Sequence, residues 1–131
     1  MRLVLDTSVL IAADALPVDA EVAVAPVTFA ELAYGVRAVT DVIEQTLRQE
    51  RLERLRAQLG PGLPFEDRAA AAFGTLCGLV LAAGRNPRAR ALDLMIAATA
   101  YANEAGVYTR NAADFAGVEP LVPILAPASF A

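Results

Sequence analysis

Short apolar runs alternate along this chain with longer stretches whose apolar residues recur every three or four positions, the pattern of buried strands separated by helices. Leu3-Val4-Leu5 reads as a buried strand that stops at Asp6, and Val9, Leu10, Ile11, Ala12 and Ala13 supply a helix that Thr7 or Ser8 can cap. A polar connection from Ala13 to Glu21, carrying Pro17, leads to a second strand, Val22-Ala23-Val24-Ala25, with Pro26 at its end. Thr28-Phe29-Ala30-Glu31 has the spacing of a capping box and opens a helix running through Val36. A long charged helix is predicted from Thr40 to Leu59, stopped by Gly60-Pro61-Gly62. After the extended piece Leu63-Pro64-Phe65, an Ala-rich helix runs from Asp67 to Ala83, and Gly84 falls where a left-handed residue is wanted. The loop Arg85 to Arg90 precedes a helix over Leu92 to Tyr101, ended by Gly106. Val107-Tyr108-Thr109 and Leu121-Val122-Pro123-Ile124-Leu125 read as the remaining strands, the last placed at an edge by Pro123. This rhythm predicts an α/β fold of three layers, one domain over residues 1–131, with a mostly parallel central sheet flanked by helices.

Composition sharpens this picture. The chain has 131 residues, enough to bury roughly two thirds of the surface of its unfolded form. Its hydrophobic fraction of 56% and mean hydropathy of +0.46 point to a dense core together with an apolar face meant for a partner. The apolar run from Ala69 to Ala83 falls short of the ~20 residues of a membrane span, so it is assigned to the core. With Asp6 interrupting the only N-terminal apolar segment, no signal peptide is expected and the protein is placed in the cytoplasm.

Missing residue types exclude much chemistry. There is no histidine, which removes serine and cysteine nucleophile systems and most zinc sites. All 11 basic residues are arginine, so a P-loop, Schiff-base chemistry and a receiver-type phosphoacceptor with its lysine are excluded. Cys77 has no charged neighbour to activate it and reads as a small core residue. Carboxylates, hydroxyls, amides and arginines remain.

Four of the carboxylates stand out by position. Asp6, Glu31 and Asp114 each follow a predicted strand, and Asp93 projects from a helix that is otherwise apolar all round. Each has a plainer use: Asp6 as a helix cap, Glu31 as the far half of the capping box, Asp114 in a turn with Asn111. For Asp93, the helix dipole offers only ~0.3–1 kcal/mol, too little to support a largely buried charge. All four can converge on one end of the sheet. Without lysine or histidine nearby they would repel one another, which a hard divalent cation resolves; all-oxygen ligation points to Mg²⁺, with Mn²⁺ the alternative.

Four segments, in this order and at these separations, resemble the PIN domain and, within it, the VapC-type ribonuclease toxins. They are Leu5-Asp6-Thr7-Ser8, Ala30-Glu31-Leu32-Ala33-Tyr34-Gly35-Val36, the stretch from Asp93 to Ala100, and Thr109-Arg110-Asn111-Ala112-Ala113-Asp114-Phe115. The resemblance implies that Asp6, Glu31, Asp93 and Asp114 form the acidic quartet of the catalytic metal site, with Asp6 and Asp93 as direct ligands. It places Thr7, Ser8, Thr109 and Asn111 as polar support for metal, water or phosphate. It further implies Mg²⁺-dependent hydrolysis of RNA, a homodimer, and silencing by a small cognate antitoxin in a toxin–antitoxin hetero-oligomer, with contacts on the first helix and on Thr40 to Leu59. Arg85, Arg88, Arg90 and Arg110 are the candidates for RNA phosphate contacts. A net charge of −4 argues against broad RNA affinity, so a defined structured RNA is the expected substrate. The rival readings are a PIN nuclease of RNA processing outside a toxin–antitoxin pair, and an inactive PIN-like binding module.

Overall fold

In the computed structural model, which describes residues 1–17 and 19–128, the four strands form a single parallel sheet. The strands are β1 (Arg2–Leu5), β2 (Glu21–Ala23), β3 (Gly106–Tyr108) and β4 (Ile124–Leu125), in the order β2-β1-β3-β4. β1 pairs Leu3 with Val22 on one side and Val4 with Val107 on the other, and Tyr108 of β3 pairs with Leu125 of β4. From β1 the chain turns first to one neighbour, β2, and then crosses to the other, β3, so the sheet changes direction between its two central strands. Open α/β sheets carry their sites in the crevice at that point, beyond the carboxyl ends of the strands.

Five α-helices flank the sheet: α1 (Thr7–Ala12), α2 (Pro26–Arg37), α3 (Val42–Leu59), α4 (Asp67–Ala82) and α5 (Ala91–Ala102). Alternation along the strands divides the interior into two cores. Val4 and Val107 pack with Leu76, Val80, Leu94 and Ile96 of α4 and α5. Leu3, Leu5 and Tyr108 face the other way, onto Val9, Leu10, Phe29, Leu32 and Leu52 of α1, α2 and α3. β1 is therefore covered on both faces, which is why it reads as a continuous apolar run. Cys77 packs, partly buried, against the first of these cores.

Several boundaries depart from the pattern-based expectation. Helix α2 starts at Pro26 and not at Thr28, because proline suits the first helical position, where no backbone N–H is needed. The capping box does not form: Thr28 lies inside the first turn, fully buried, and Ala25 occupies the cap. Helix α3 begins at Val42, capped by the Asp41 side chain accepting from the Glu44 backbone N–H. The Arg85 to Arg90 loop contains a 3₁₀ turn over Pro87–Arg90, and Asn111 to Phe115 contains another over Ala112–Phe115. The last strand is only Ile124–Leu125, since Leu121 and Val122 turn back to hydrogen-bond Val118; its edge position agrees with expectation. The connection between α1 and β2 includes Val18, outside the described residues. Gly84 closes α4 with φ +77°, in the left-handed region as predicted. Among the described residues no helix is long and apolar enough to cross a membrane.

Candidate active site

β1 and β3 end side by side, and the Asp6 backbone N–H donates to the Tyr108 carbonyl at 2.9 Å. Asp6 occupies the N-cap position of α1, yet its side chain makes no capping bond. The carboxylate turns instead toward the next strand: Oδ2 accepts from Thr109 Oγ1 at 2.7 Å and from Ser8 Oγ at 2.9 Å. Thr109 is fully buried and also accepts from the Asn111 backbone N–H at 3.0 Å, while Ser8 Oγ accepts from the Arg110 backbone N–H at 3.1 Å. Two hydroxyls thus relay from backbone donors into one carboxylate oxygen. Among the described residues Asp6 Oδ1 has no hydrogen-bond donor, leaving it open to the crevice.

The other three acids come from separate parts of the chain. Glu31 lies on α2 and accepts from Thr7 Oγ1 at 3.0 Å, across from α1. The unformed capping box therefore leaves this glutamate free for a tertiary contact. Asp93 lies in the first turn of α5. Asp114 lies on the second 3₁₀ turn and receives Arg90 at 2.6 Å. Burial pushes the Asp93 carboxyl up from 3.8 to about 6, reinforced by the negative fields of Asp6, Asp114 and Glu31 and opposed by Arg90. Burial also raises Glu31, against the Thr7 hydrogen bond and with help from Asp6. Asp93 thus lies in the field of the other three carboxylates, with Arg90 as the opposing cation, and Glu31 lies in the field of Asp6. Among the described residues no three of them are gathered into a ready-made ligand set, so the coupling runs through the field and not through shared contact.

The remaining sequence-derived candidates divide by position. Thr7, Ser8 and Thr109 are joined to the acids by the bonds above, and Asn111 contributes its backbone N–H to Thr109 while its side chain is exposed. Arg90 is drawn into the site as the partner of Asp114. Arg110 lies 3.3 Å from Asp14. Arg85 and Arg88 are exposed on the approach to α5. Beside Glu31 the crevice continues into a cavity of ≈ 250 Å³ between α1, α2 and α3, lined by Thr7, Ile11, Glu31, Leu32, Arg48 and Arg51 among others. The sequence pattern marks α3 as a charged helix, to which the resemblance gives antitoxin contacts, and singles out neither of these two arginines. Their spacing of three residues, which puts them on one side of α3, was the available signal.

No family model and no curated protein matches the sequence. Solved structures do. A member of the VapBC family of toxin-antitoxin systems, VapBC-5 from Mycobacterium tuberculosis, superposes with a TM-score of 0.79 at 35% identity, over 95% of this chain and 96% of that one. FitAcB from Neisseria gonorrhoeae matches with a TM-score of 0.74 at 26% identity, over 97% and 98% of the two chains. VapBC-1 from nontypeable Haemophilus influenzae, at 21% identity and a TM-score of 0.70 over 93% and 96%, shares the fold.

Proposed function

Because the chain belongs to the VapC-type PIN-domain family, we propose that it is the toxin of a type II toxin–antitoxin pair, a Mg²⁺-dependent endoribonuclease. The observation that carries this reading is the placing of Asp93, half-buried on α5, within the negative fields of Asp6, Asp114 and Glu31. Mg²⁺ fits these residues: the donors are hard oxygens, and Mg²⁺ keeps several waters and takes one or two carboxylates, which needs no closed cage. Asp6 and Asp93 are the residues to hold it, with Glu31 and Asp114 behind them. When bound, the cation supplies positive charge that makes water a nucleophile near neutral pH and offsets charge building on the phosphate.

The chain's own groups have distinct tasks. Ser8 and Thr109 fix Asp6 by one oxygen and so orient the other. Thr7 fixes Glu31, whose raised proton affinity suits it to accept a proton from the attacking water. Arg90 holds Asp114 and tempers the excess negative charge around Asp93. Water adds to phosphorus, the bond to the 3′ oxygen breaks, and the products are a 5′-phosphate and a 3′-hydroxyl.

The partners in this reading are a second copy of the chain and a small VapB-like antitoxin. Exposed Ile11 and Leu16 flank a groove between α1 and α3, with Leu10, Leu55 and Leu59 in its walls, a fit for an apolar antitoxin segment. Expression without the antitoxin should arrest growth, and Asp6→Asn or Asp93→Asn should restore it. Variants as toxic as the parent would refute the hydrolytic reading.

A further inference from the structure

On the proposed nuclease reading, an RNA strand must pass the acidic crevice, and the cavity beside Glu31 lies on that path. Its chemistry is mixed in a particular way. Ile11 and Leu32 give it an apolar wall, Thr7 and Glu31 join it to the acidic site, and Arg48 and Arg51 enter from α3. Its ≈ 250 Å³ is slightly below the usual range for small-molecule pockets, about 300–1,000 Å³, which is room for a nucleotide and too little for a folded element.

The arginines of α3 differ in how they are engaged. Arg48 donates to Glu44 at 2.9 Å and to the Gly35 carbonyl at 2.8 Å, so its position is fixed and Glu44 is neutralised. Arg56 lies over the Phe29 ring, 4.5 Å from its centroid. Arg54 is exposed and lines only the outer groove between α1 and α3, whereas Arg51 and Ile11 border both that groove and the cavity beside Glu31. Arg51 is half-buried and lines the cavity, yet among the described residues it has neither a hydrogen bond nor an ion pair. It does not pair with Glu31 either, since the shift of that carboxyl comes from burial, Thr7 and Asp6 alone. A guanidinium that lines a partly apolar cavity beside Glu31 and the Arg48-bound Glu44, and is bonded to neither, is suited to an incoming anion, and its fork matches a phosphate.

We propose that the cavity between α1, α2 and α3 is a nucleotide subsite, in which Arg51 binds an RNA phosphate flanking the scissile one while Ile11 and Leu32 support the sugar or base. An acidic protein side chain would use the guanidinium but not the apolar wall, and would not need continuity with Glu31.

The test uses labelled total bacterial RNA as probe and filter binding over a salt series, with Asp6→Asn as the cleavage-blocked parent. Adding Arg51→Ala should weaken binding roughly tenfold or more and lower the salt slope by about 0.7, the loss of one phosphate contact on a single strand. Arg51→Lys should keep the slope, and Arg54→Ala on the same helix should change neither quantity. Unchanged affinity and slope in Arg51→Ala would overturn the proposal and leave the cavity to a protein partner. Native protein that cleaves RNA with Mg²⁺ while Arg51→Ala binds normally would remove the subsite alone; native protein that neither binds nor cleaves would remove the nuclease reading as well.

Discussion

Replacing Asp93 by asparagine should make the metal-free protein more stable while abolishing its activity. The carboxyl is raised from 3.8 to about 6 by burial and by Asp6, Asp114 and Glu31. At ~1.4 kcal/mol per unit that shift corresponds to about 3 kcal/mol against the ionised form, and partial exposure of Asp93 brings it to roughly 1–2 kcal/mol. The sign follows from proton binding. Between about pH 4 and 6 the folded state holds the Asp93 proton more tightly than the unfolded chain, so stability is greatest below this window and declines as pH rises through it. The Asp93→Asn side chain has no proton to lose, so the decline should shrink to the part contributed by Glu31, which is shifted in the same direction. Urea unfolding in EDTA at pH 4.5 and 7.5 measures both effects: Asp93→Asn should exceed the parent by roughly 1–2 kcal/mol at the higher pH and by a smaller margin at the lower, which already lies inside the window. Millimolar Mg²⁺ should stabilise the parent and not the variant, because only binding to the folded state raises stability. A variant less stable than the parent at pH 7.5 in EDTA, or a pH dependence identical in the two, would refute the picture of mutually repelling carboxylates.

Other substitutions probe the scaffold around the site. Thr109→Val keeps the shape of a fully buried side chain but removes the donor to Asp6 and the acceptor for the Asn111 N–H, so RNA cleavage should fall roughly 10–100-fold with far-UV circular dichroism unchanged. Cleavage within twofold of the parent would show that Thr109 does not orient Asp6. Gly74 and Gly78 lie inside α4 with nothing within 4 Å of an added Cβ, so alanine at each should raise unfolding stability by about 0.5–1 kcal/mol. Gly106→Ala should do the opposite, costing roughly 1–3 kcal/mol in the same assay, because its Cβ would stand 2.9 Å from the Pro123 carbonyl oxygen.

What could be read from the residues alone was whatever local pattern encodes. Leu3-Val4-Leu5 is apolar on both faces because β1 is covered on both, and that marks it as a buried strand ending at Asp6. Strands alternating with helices implied a mostly parallel sheet, and every strand pair is in fact parallel. Local rules misled where two of them competed. Thr28 and Glu31 had the spacing of a capping box, but Pro26 took the first helical position, moved the start upstream and buried Thr28. Thr40 yielded the start of α3 to Asp41 for the same kind of reason, a side chain able to accept the Glu44 N–H. Within the acidic site, the order of carboxylates and hydroxyls was legible, whereas their pairing was not. Nothing local to Arg90 marks it as the partner of Asp114, 24 residues away, and nothing local to Thr7 marks Glu31. Those contacts depend on how the helices pack. Arg51 is not legible in the sequence for a related reason: on a helix where both charge signs alternate, only the neighbours α1 and α2 distinguish a cavity wall from a solvated face.

On the proposed reading these carboxylates hold a divalent cation against RNA. The most direct measurement is cleavage of total bacterial RNA by the purified chain, free of antitoxin, with 5′ and 3′ ends identified by sequencing. Cleavage should require Mg²⁺ or Mn²⁺, stop with EDTA, leave 5′-phosphates, and be lost in both Asp6→Asn and Asp93→Asn. Cleavage that persists in EDTA, or in either variant at the parent's rate, would contradict it.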